Sequence, residues 1–267
     1  EKMISLDKSN RLLVGAAIGL NQFDRLNELV KANVDIVCVD VASGHNKHIG
    51  DYIKKIKQLY PKLPIMSGNV CTYEGFKYLA ECGSDCIRVG IGNGSICSTR
   101  LVSGCGRPQL SSLIECSKAS KETNVSMISD GGHMKYIGNK FKALCTGASV
   151  VMLGRSLACC LEAPGIIITR NGKKMKYYRG MASNMASTSR NEKEYKVGQK
   201  RPRLAEGVDG FIPIKNTVKE TIEELCLGIR SGMSYVGCMN LVELHNNPPK
   251  LCKITNSGIS ESSTRVS

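Results

Sequence analysis

The sequence predicts an α/β fold built on a parallel sheet, and two observations carry the prediction. Short β-branched runs alternate with longer amphipathic stretches from residue 11 to about 160, and most of the runs end in a glycine or a small polar cluster. Parallel neighbours need a crossover between them, so helix-length stretches between apolar runs argue parallel pairing rather than hairpins. At 267 residues, 42% of them hydrophobic, the chain is long enough to bury a substantial core.

In chain order, strands are predicted at Leu12–Gly15, Ile36–Val41, Ile65–Gly68, Cys86–Gly90, Met127–Ser129 and Val150–Leu153. The amphipathic stretches between them predict helices over Gln22–Ala32, Lys47–Leu59, Tyr73–Cys82, Gln109–Lys121 and Ile137–Cys145. In a (β/α)8 barrel the C-terminal strand ends carry the chemistry, and small residues there let a ligand approach the backbone. Six strand–helix units leave two architectures open: a doubly wound sheet, or a barrel without its first two units, since closure needs eight.

After residue 160 the rhythm breaks. Pro164-Gly165 precedes a predicted hairpin, Ile166–Thr169 and Lys176–Tyr178 around Asn171-Gly172, and a Ser/Asn/Lys-rich stretch runs from Met181 to Arg203. A long polar excursion inside a domain reads as a functional flap. Helical spacing resumes over Val218–Arg230, with Ile222, Leu225 and Ile229 on one face, and the residues from Pro248 read as a peripheral arm. The expected organisation is one domain over 1–267, with an insertion at about 165–213 and an arm at about 248–267.

Lys and Arg number 37 against 23 Asp and Glu, a net charge of +14, and residues 170–203 alone hold eleven basic residues and two Glu. That local excess invites an anionic-substrate reading, an electrostatic funnel, or is simply a solvated face. A nucleic-acid face is not expected: aromatics are 5%, Trp is absent, and no basic run is interleaved with stacking residues. Thirteen cysteines, odd in number and often inside apolar runs (Cys38, Cys86, Cys145), read as reduced thiols and predict a cytoplasmic protein. No apolar stretch reaches bilayer length, so no membrane partner is expected.

The segment Gly90-Ile91-Gly92-Asn93-Gly94-Ser95-Ile96-Cys97-Ser98-Thr99-Arg100 is the most informative. A glycine-rich turn after a strand presents backbone groups to a ligand and places Cys97 on a loop, where a thiolate can act as nucleophile; a phosphate-binding turn with an incidental cysteine is the alternative. Asp130, in Asp130-Gly131-Gly132, either accepts hydrogen bonds from a ribose diol or caps a helix. Gly154 ends the next strand where phosphate can meet N–H groups. Glu162 is either a general acid or base beside Cys97 or a solvated carboxylate.

Together with Gly106-Arg107-Pro108-Gln109, Ile128–Gly132, Gly147–Gly154, Glu162-Ala163-Pro164-Gly165 and Tyr178-Arg179-Gly180-Met181, that segment resembles the IMP dehydrogenase/GMP reductase family, in order and through nearly the whole chain. The resemblance implies a (β/α)8 barrel, with this chain starting near the third strand, and a homotetramer. It implies a covalent purine intermediate on Cys97, with Thr99 and Glu162 handling protons. On the substrate side it implies Ser95, Gly132, Gly154 and Tyr178 at the phosphate, Asp130 at the ribose, and Gly131 and Gly180 among the binding residues; Arg155 stands where the family usually has a small residue, and its guanidinium either pairs with phosphate or swings outward. Met181, Ala182 and Glu206 line the purine edge. Asp40, Ser43, Asn69, Arg88 and Gly90 face a nicotinamide dinucleotide, and the carbonyls of Gly92, Gly94 and Cys97 resemble a loop for a monovalent cation such as K+.

Within the family, the resemblance favours the NADPH-dependent reductase, which converts GMP to IMP, over the NAD-dependent dehydrogenase, which oxidises IMP. The dehydrogenase activates water with an Arg-Tyr pair on its flap; here Tyr195 aligns with the tyrosine but Glu194 stands where the arginine belongs, with Arg190 as a fallback. Asp40-Val41-Ala42, Ile65–Val70 and Met181–Ala186 also lean to the reductase, whereas Glu162–Gly165, Glu206–Gly210 and Gly258–Ser262 look like the dehydrogenase.

Overall fold

The computed structural model describes residues 6–133, 136–183 and 204–262. Six strands, β1 (Gly15–Ile18), β2 (Ile36–Asp40), β3 (Ile65–Val70), β4 (Cys86–Val89), β5 (Ser126–Asp130) and β6 (Val150–Met152), form one sheet in sequential order. Every adjacent pair is parallel. A doubly wound sheet reverses its strand order at a switch point. This sheet has none, which removes that alternative and leaves a curled sheet consistent with part of a (β/α)8 barrel.

The crossovers are α1 (Phe23–Lys31), α2 (Lys47–Leu59) and α3 (Tyr73–Glu81), then a short α4 (Thr99–Val102) with α5 (Gln109–Thr123), and α6 (Gly138–Cys145). Caps fix where two of them begin: Asn46 accepts from His48 N at 2.9 Å, and Thr72 Oγ1 from Gly75 N at 3.2 Å. Side chains alternate across each strand. Val37, Val39, Ile65, Ile87, Val89 and Met127 are buried together with Leu26, Ile53, Ile56, Phe76, Leu79 and Leu113 of the helices, in one continuous core. Each such side chain contributes about 1.5–3 kcal/mol of burial. The alternate positions, Cys38, Asp40, Met66, Arg88 and Asp130, therefore line the opposite, concave face.

Beyond the sheet, a short α7 (Arg155–Ala158) leads to an antiparallel three-stranded sheet, β7 (Ile167–Arg170), β8 (Lys173–Arg179) and β9 (Asp209–Pro213). Asn171 and Gly172 turn the hairpin, both at positive φ (51° and 71°), as its two-residue turn requires. The chain ends in α8 (Val218–Tyr235), α9 (Leu241–Asn246) and α10 (Asn256–Glu261). No helix among the described residues is long and apolar enough to cross a membrane.

The structure moves several boundaries. The first strand starts at Gly15, not Leu12, because its partner starts at Ile36 and Asp35 already accepts from Val14 N at 2.8 Å. Strand β9 and helices α9 and α10 were not predicted, and α8 runs past Arg230. All thirteen cysteines are free. Cys145 is buried, but Cys38 and Cys86 are only half-buried.

Candidate active site

Two clusters meet at the C-terminal ends of β2 to β5. The first surrounds Arg88, whose guanidinium donates to Asp40 Oδ1 at 2.7 Å, Cys38 Sγ at 3.2 Å and Asp130 Oδ2 at 2.9 Å. Burial disfavours its charge, but Asp130, with Cys38 and Asp40, outweighs burial and raises the Arg88 pKa above the usual value. Burial pushes the Cys38 thiol up. Asn69 Nδ2 donates to Gly90 O at 2.7 Å and to the same Asp130 oxygen at 2.9 Å. Backbone bonds from Asn69 to Val41 and from Gly44 to Asn69 bring the Ser43 loop alongside. Gly90 is at φ 145°, and a Cβ there would stand 2.1 Å from Asp130 O, so only glycine lets β4 and β5 end this close together.

The second cluster surrounds Cys97, half-buried on the loop between β4 and α4. Its thiol donates to Thr99 Oγ1 at 3.1 Å. The loop is laced to a segment far along the chain: Cys97 bridges Gly207, Ser98 N donates to Glu206 O at 2.9 Å, and Val208 N to Ile96 O at 2.9 Å. Glu206 N donates to Ala182 O, and Gly180 N to Val208 O. Gly180, Ala182 and Glu206 thus gather at the nucleophile with Met181, which is exposed. Gly132 N donates to Asn93 O at 3.0 Å, joining the two clusters.

A family model described as "IMP dehydrogenase / GMP reductase domain" matches residues 2–265. The chain belongs to the IMP dehydrogenase/GMP reductase family. Inosine-5′-monophosphate dehydrogenase from Aquifex aeolicus is 43% identical over 260 residues, 96% of this chain and 52% of that protein. The Bacillus subtilis protein of the same name is 39% identical over 260 residues, 97% and 53%. Among solved structures, a GMP reductase variant from Trypanosoma brucei in complex with guanosine 5′-monophosphate superposes with a TM-score of 0.92 at 36% identity, covering 100% of this chain and 55% of that one. The chain spans about half the length of the curated relatives it matches.

This IMP dehydrogenase/GMP reductase family member also brings together Gly154 and Tyr178, whose hydroxyl lies 3.5 Å from where a Gly154 Cβ would stand. Ser95 shares the Cys97 loop, and Arg155 opens α7 without an ion pair among the described residues. Glu162 departs from expectation. Its exposed carboxylate accepts from Val218 N at 2.9 and 3.0 Å, at the start of α8, and no described hydrogen bond joins it to Cys97 or Thr99. A helix N-terminus attracts a carboxylate, which is why it settles there. The flap residues Arg190, Glu194 and Tyr195 lie outside the described residues.

Sequence reasoning missed a buried polar chain beside the site. His133 Nε2 pairs with Ser129 Oγ at 2.9 Å, Ser129 accepts from Gln109, and Gln109 accepts from Asn93. Burial pushes the His133 pKa down. Histidine directly after Asp130-Gly131-Gly132 was the available signal.

Proposed function

We propose that the protein is a purine-nucleotide oxidoreductase of the reductase type, converting GMP to IMP through a covalent bond between Cys97 and purine C2. The observation that carries the covalent part of this reading is the Cys97 loop itself, and Glu194 in place of the flap arginine carries the choice of the reductase. The thiol sits 3.1 Å from a hydroxyl that can relay its proton, and of the residues expected at the purine edge Glu206 bonds to the Cys97 loop and Ala182 to Glu206, with Met181 adjacent to Ala182 in the chain.

In this reading Cys97 Sγ bonds to C2, the C2–amino bond breaks, and the amino group leaves as ammonia. It must leave protonated, so Thr99 passes a proton toward it; Glu162, held on Val218 N, would have to leave that contact to join the relay. Bound at this site, NADPH would supply the hydride that C2 accepts. The C2–S bond breaks with its electron pair returning to Cys97, and IMP is released. Two buried polar atoms suit the dinucleotide: Asn69 Oδ1 and Arg88 Nε have no partner among the described residues. Asp40, Ser43, Asn69, Arg88 and Gly90 would hold it. Asp130 Oδ2 is taken by Arg88 and Asn69, which leaves Oδ1 for a ribose hydroxyl. The carbonyls of Gly92, Gly94 and Cys97 would hold a monovalent cation, the Gly94 carbonyl being the one that already accepts from Cys97 N at 3.1 Å.

The second reading, an IMP dehydrogenase using NAD, is favoured by the 39–43% identity to proteins of that name. Glu194 in place of the flap arginine supports the reductase. The test follows nicotinamide absorbance with GMP and NADPH, and separately with IMP and NAD. Oxidation in the first mixture, abolished by Cys97→Ala, supports the reductase; reduction in the second mixture alone overturns it.

A further inference from the structure

One side chain ties together the strand ends around the Cys97 loop. Gln109, the first residue of α5, donates from Nε2 to Val89 O at 2.8 Å and to Ser129 Oγ at 2.9 Å, and its Oε1 accepts from Asn93 Nδ2 at 2.7 Å. Both of its N–H groups and an oxygen lone pair are thereby engaged. Asn93 passes the restraint along the loop: its carbonyl accepts from Gly132 N at 3.0 Å, and its Oδ1 from Arg100 Nη2 at 3.1 Å. Asn93 precedes Cys97 and Arg100 follows it, so the nucleophile lies inside the braced span.

Packing reinforces the bonds. A Cβ on Gly132 would stand 2.6 Å from Gln109 Cβ, and one on Gly90 2.7 Å from Gln109 Oε1. The two glycines leave just enough room for this side chain. A loop carrying Gly90, Gly92 and Gly94 has wide backbone freedom of its own, so its shape has to be imposed from outside.

We propose that Gln109 is a positioning residue for Cys97, acting through Asn93 to set the loop that aims Sγ at the purine. The inference rests on the covalent role of Cys97 proposed above. Gln109 has no described contact with Cys97; it fixes the path of the loop, and a misplacement of about 1 Å in a reacting group is enough to slow a reaction roughly hundred-fold.

The test uses the whole chain and two single variants, Gln109→Met, which keeps the length and removes the bonds, and Asn93→Ala, which cuts the same bond from the loop side. Steady-state kinetics with GMP and NADPH are measured beside the rate of Cys97 alkylation by iodoacetamide as a function of pH. In both variants kcat is expected to fall about ten- to hundred-fold while KM for GMP changes less than about threefold. The double variant should fall well short of the product of the two single losses, because both singles remove the Gln109–Asn93 bond. Gln109→Glu, which keeps the acceptor for Asn93, should recover part of the loss, and the alkylation profile should change in step. A folded Gln109→Met with kcat and alkylation rate within about twofold of the parent, or losses that multiply in the double variant, overturns the proposal. Should Gln109→Met not fold, Asn93→Ala carries the same test. Should the parent turn over neither nucleotide pair, the proposed function fails, and the alkylation rates still decide the role of Gln109.

Discussion

Arg88 Nη2 and Asp130 Oδ2 stand 2.9 Å apart on the concave face of the sheet, with side chains only 12% and 24% exposed. Asp40 completes the pairing from β2 at 2.7 Å. Removing one partner of such a pair leaves the other desolvated and uncompensated, which costs more than the pair contributes. Arg88→Met is therefore expected to lower unfolding stability by about 2–3 kcal/mol, below the fully buried range because Asp130 is partly wetted. Urea unfolding checks it; a loss under about 0.5 kcal/mol would place the pair among weak surface bridges.

Lys176 carries its charge into the protein. Though it sits in the basic stretch read as an electrostatic funnel, it is only 2% exposed, and its Nζ donates to Cys160 O at 2.7 Å, Leu161 O at 2.8 Å and Ala163 O. The ammonium satisfies three carbonyls of the turn before β7 and so pins the hairpin to the barrel side. Lys176→Met leaves those acceptors unpaired and should cost about 2–4 kcal/mol. Limited proteolysis should then cut the hairpin near Asn171 faster than in the parent, while Lys174→Met, at an exposed position, leaves the rate unchanged.

The residues that carry these effects differ in how visible they were in the sequence. The parallel sheet follows from alternation alone, and the strand ends at Asp40, Asn69, Gly90 and Asp130 follow with it. The start of β1 depends instead on a side chain, Asp35, that captures Val14 N. Strand β9 was hidden because Asp209–Pro213, with a glycine and a proline, becomes a strand only against β8. In the site, Cys97 stood out because a thiol on a glycine-rich loop has chemistry of its own, whereas Thr99 and Glu206 entered only through the family resemblance. Gln109 did not stand out, because a glutamine is defined by the groups that surround it: Val89 O, Ser129 and Asn93 come from three separate segments.

Buried His133 predicts a pH dependence of stability. Burial, the largest influence, lowers its pKa below the ordinary value of 6.5. The unfolded chain takes up a proton near that value while the folded chain refuses it, so the unfolded state gains as pH falls. Stability is expected to be full above about pH 6.5 and to decline as pH drops from there through the folded-state pKa. Denaturant midpoints measured across that window check the slope. His133→Asn should flatten the His133 contribution; an unchanged slope assigns it to other groups.

Glu162 has one observed contact and one proposed role, and one substitution separates them. Its carboxylate accepts from Val218 N at 2.9 and 3.0 Å, beside the capping box formed by Thr217 and Glu220 at the start of α8. In the proposed reaction the same carboxylate would have to leave that contact to carry a proton toward Thr99. Glu162→Gln keeps an oxygen that can accept from Val218 N but cannot exchange a proton. The loss of a charge near a helix N-terminus costs about 0.3–1 kcal/mol, a shift of a few degrees at most in the melting temperature. Proton transfer by a placed side chain contributes about 10²–10⁴-fold, so kcat with GMP and NADPH should fall by at least a hundred-fold. Glu162→Ala should lose the same activity and more stability, because it also strips the cap. If Glu162→Gln retains full kcat, Glu162 serves α8 alone, and Thr99 must pass its proton by a route that does not include it.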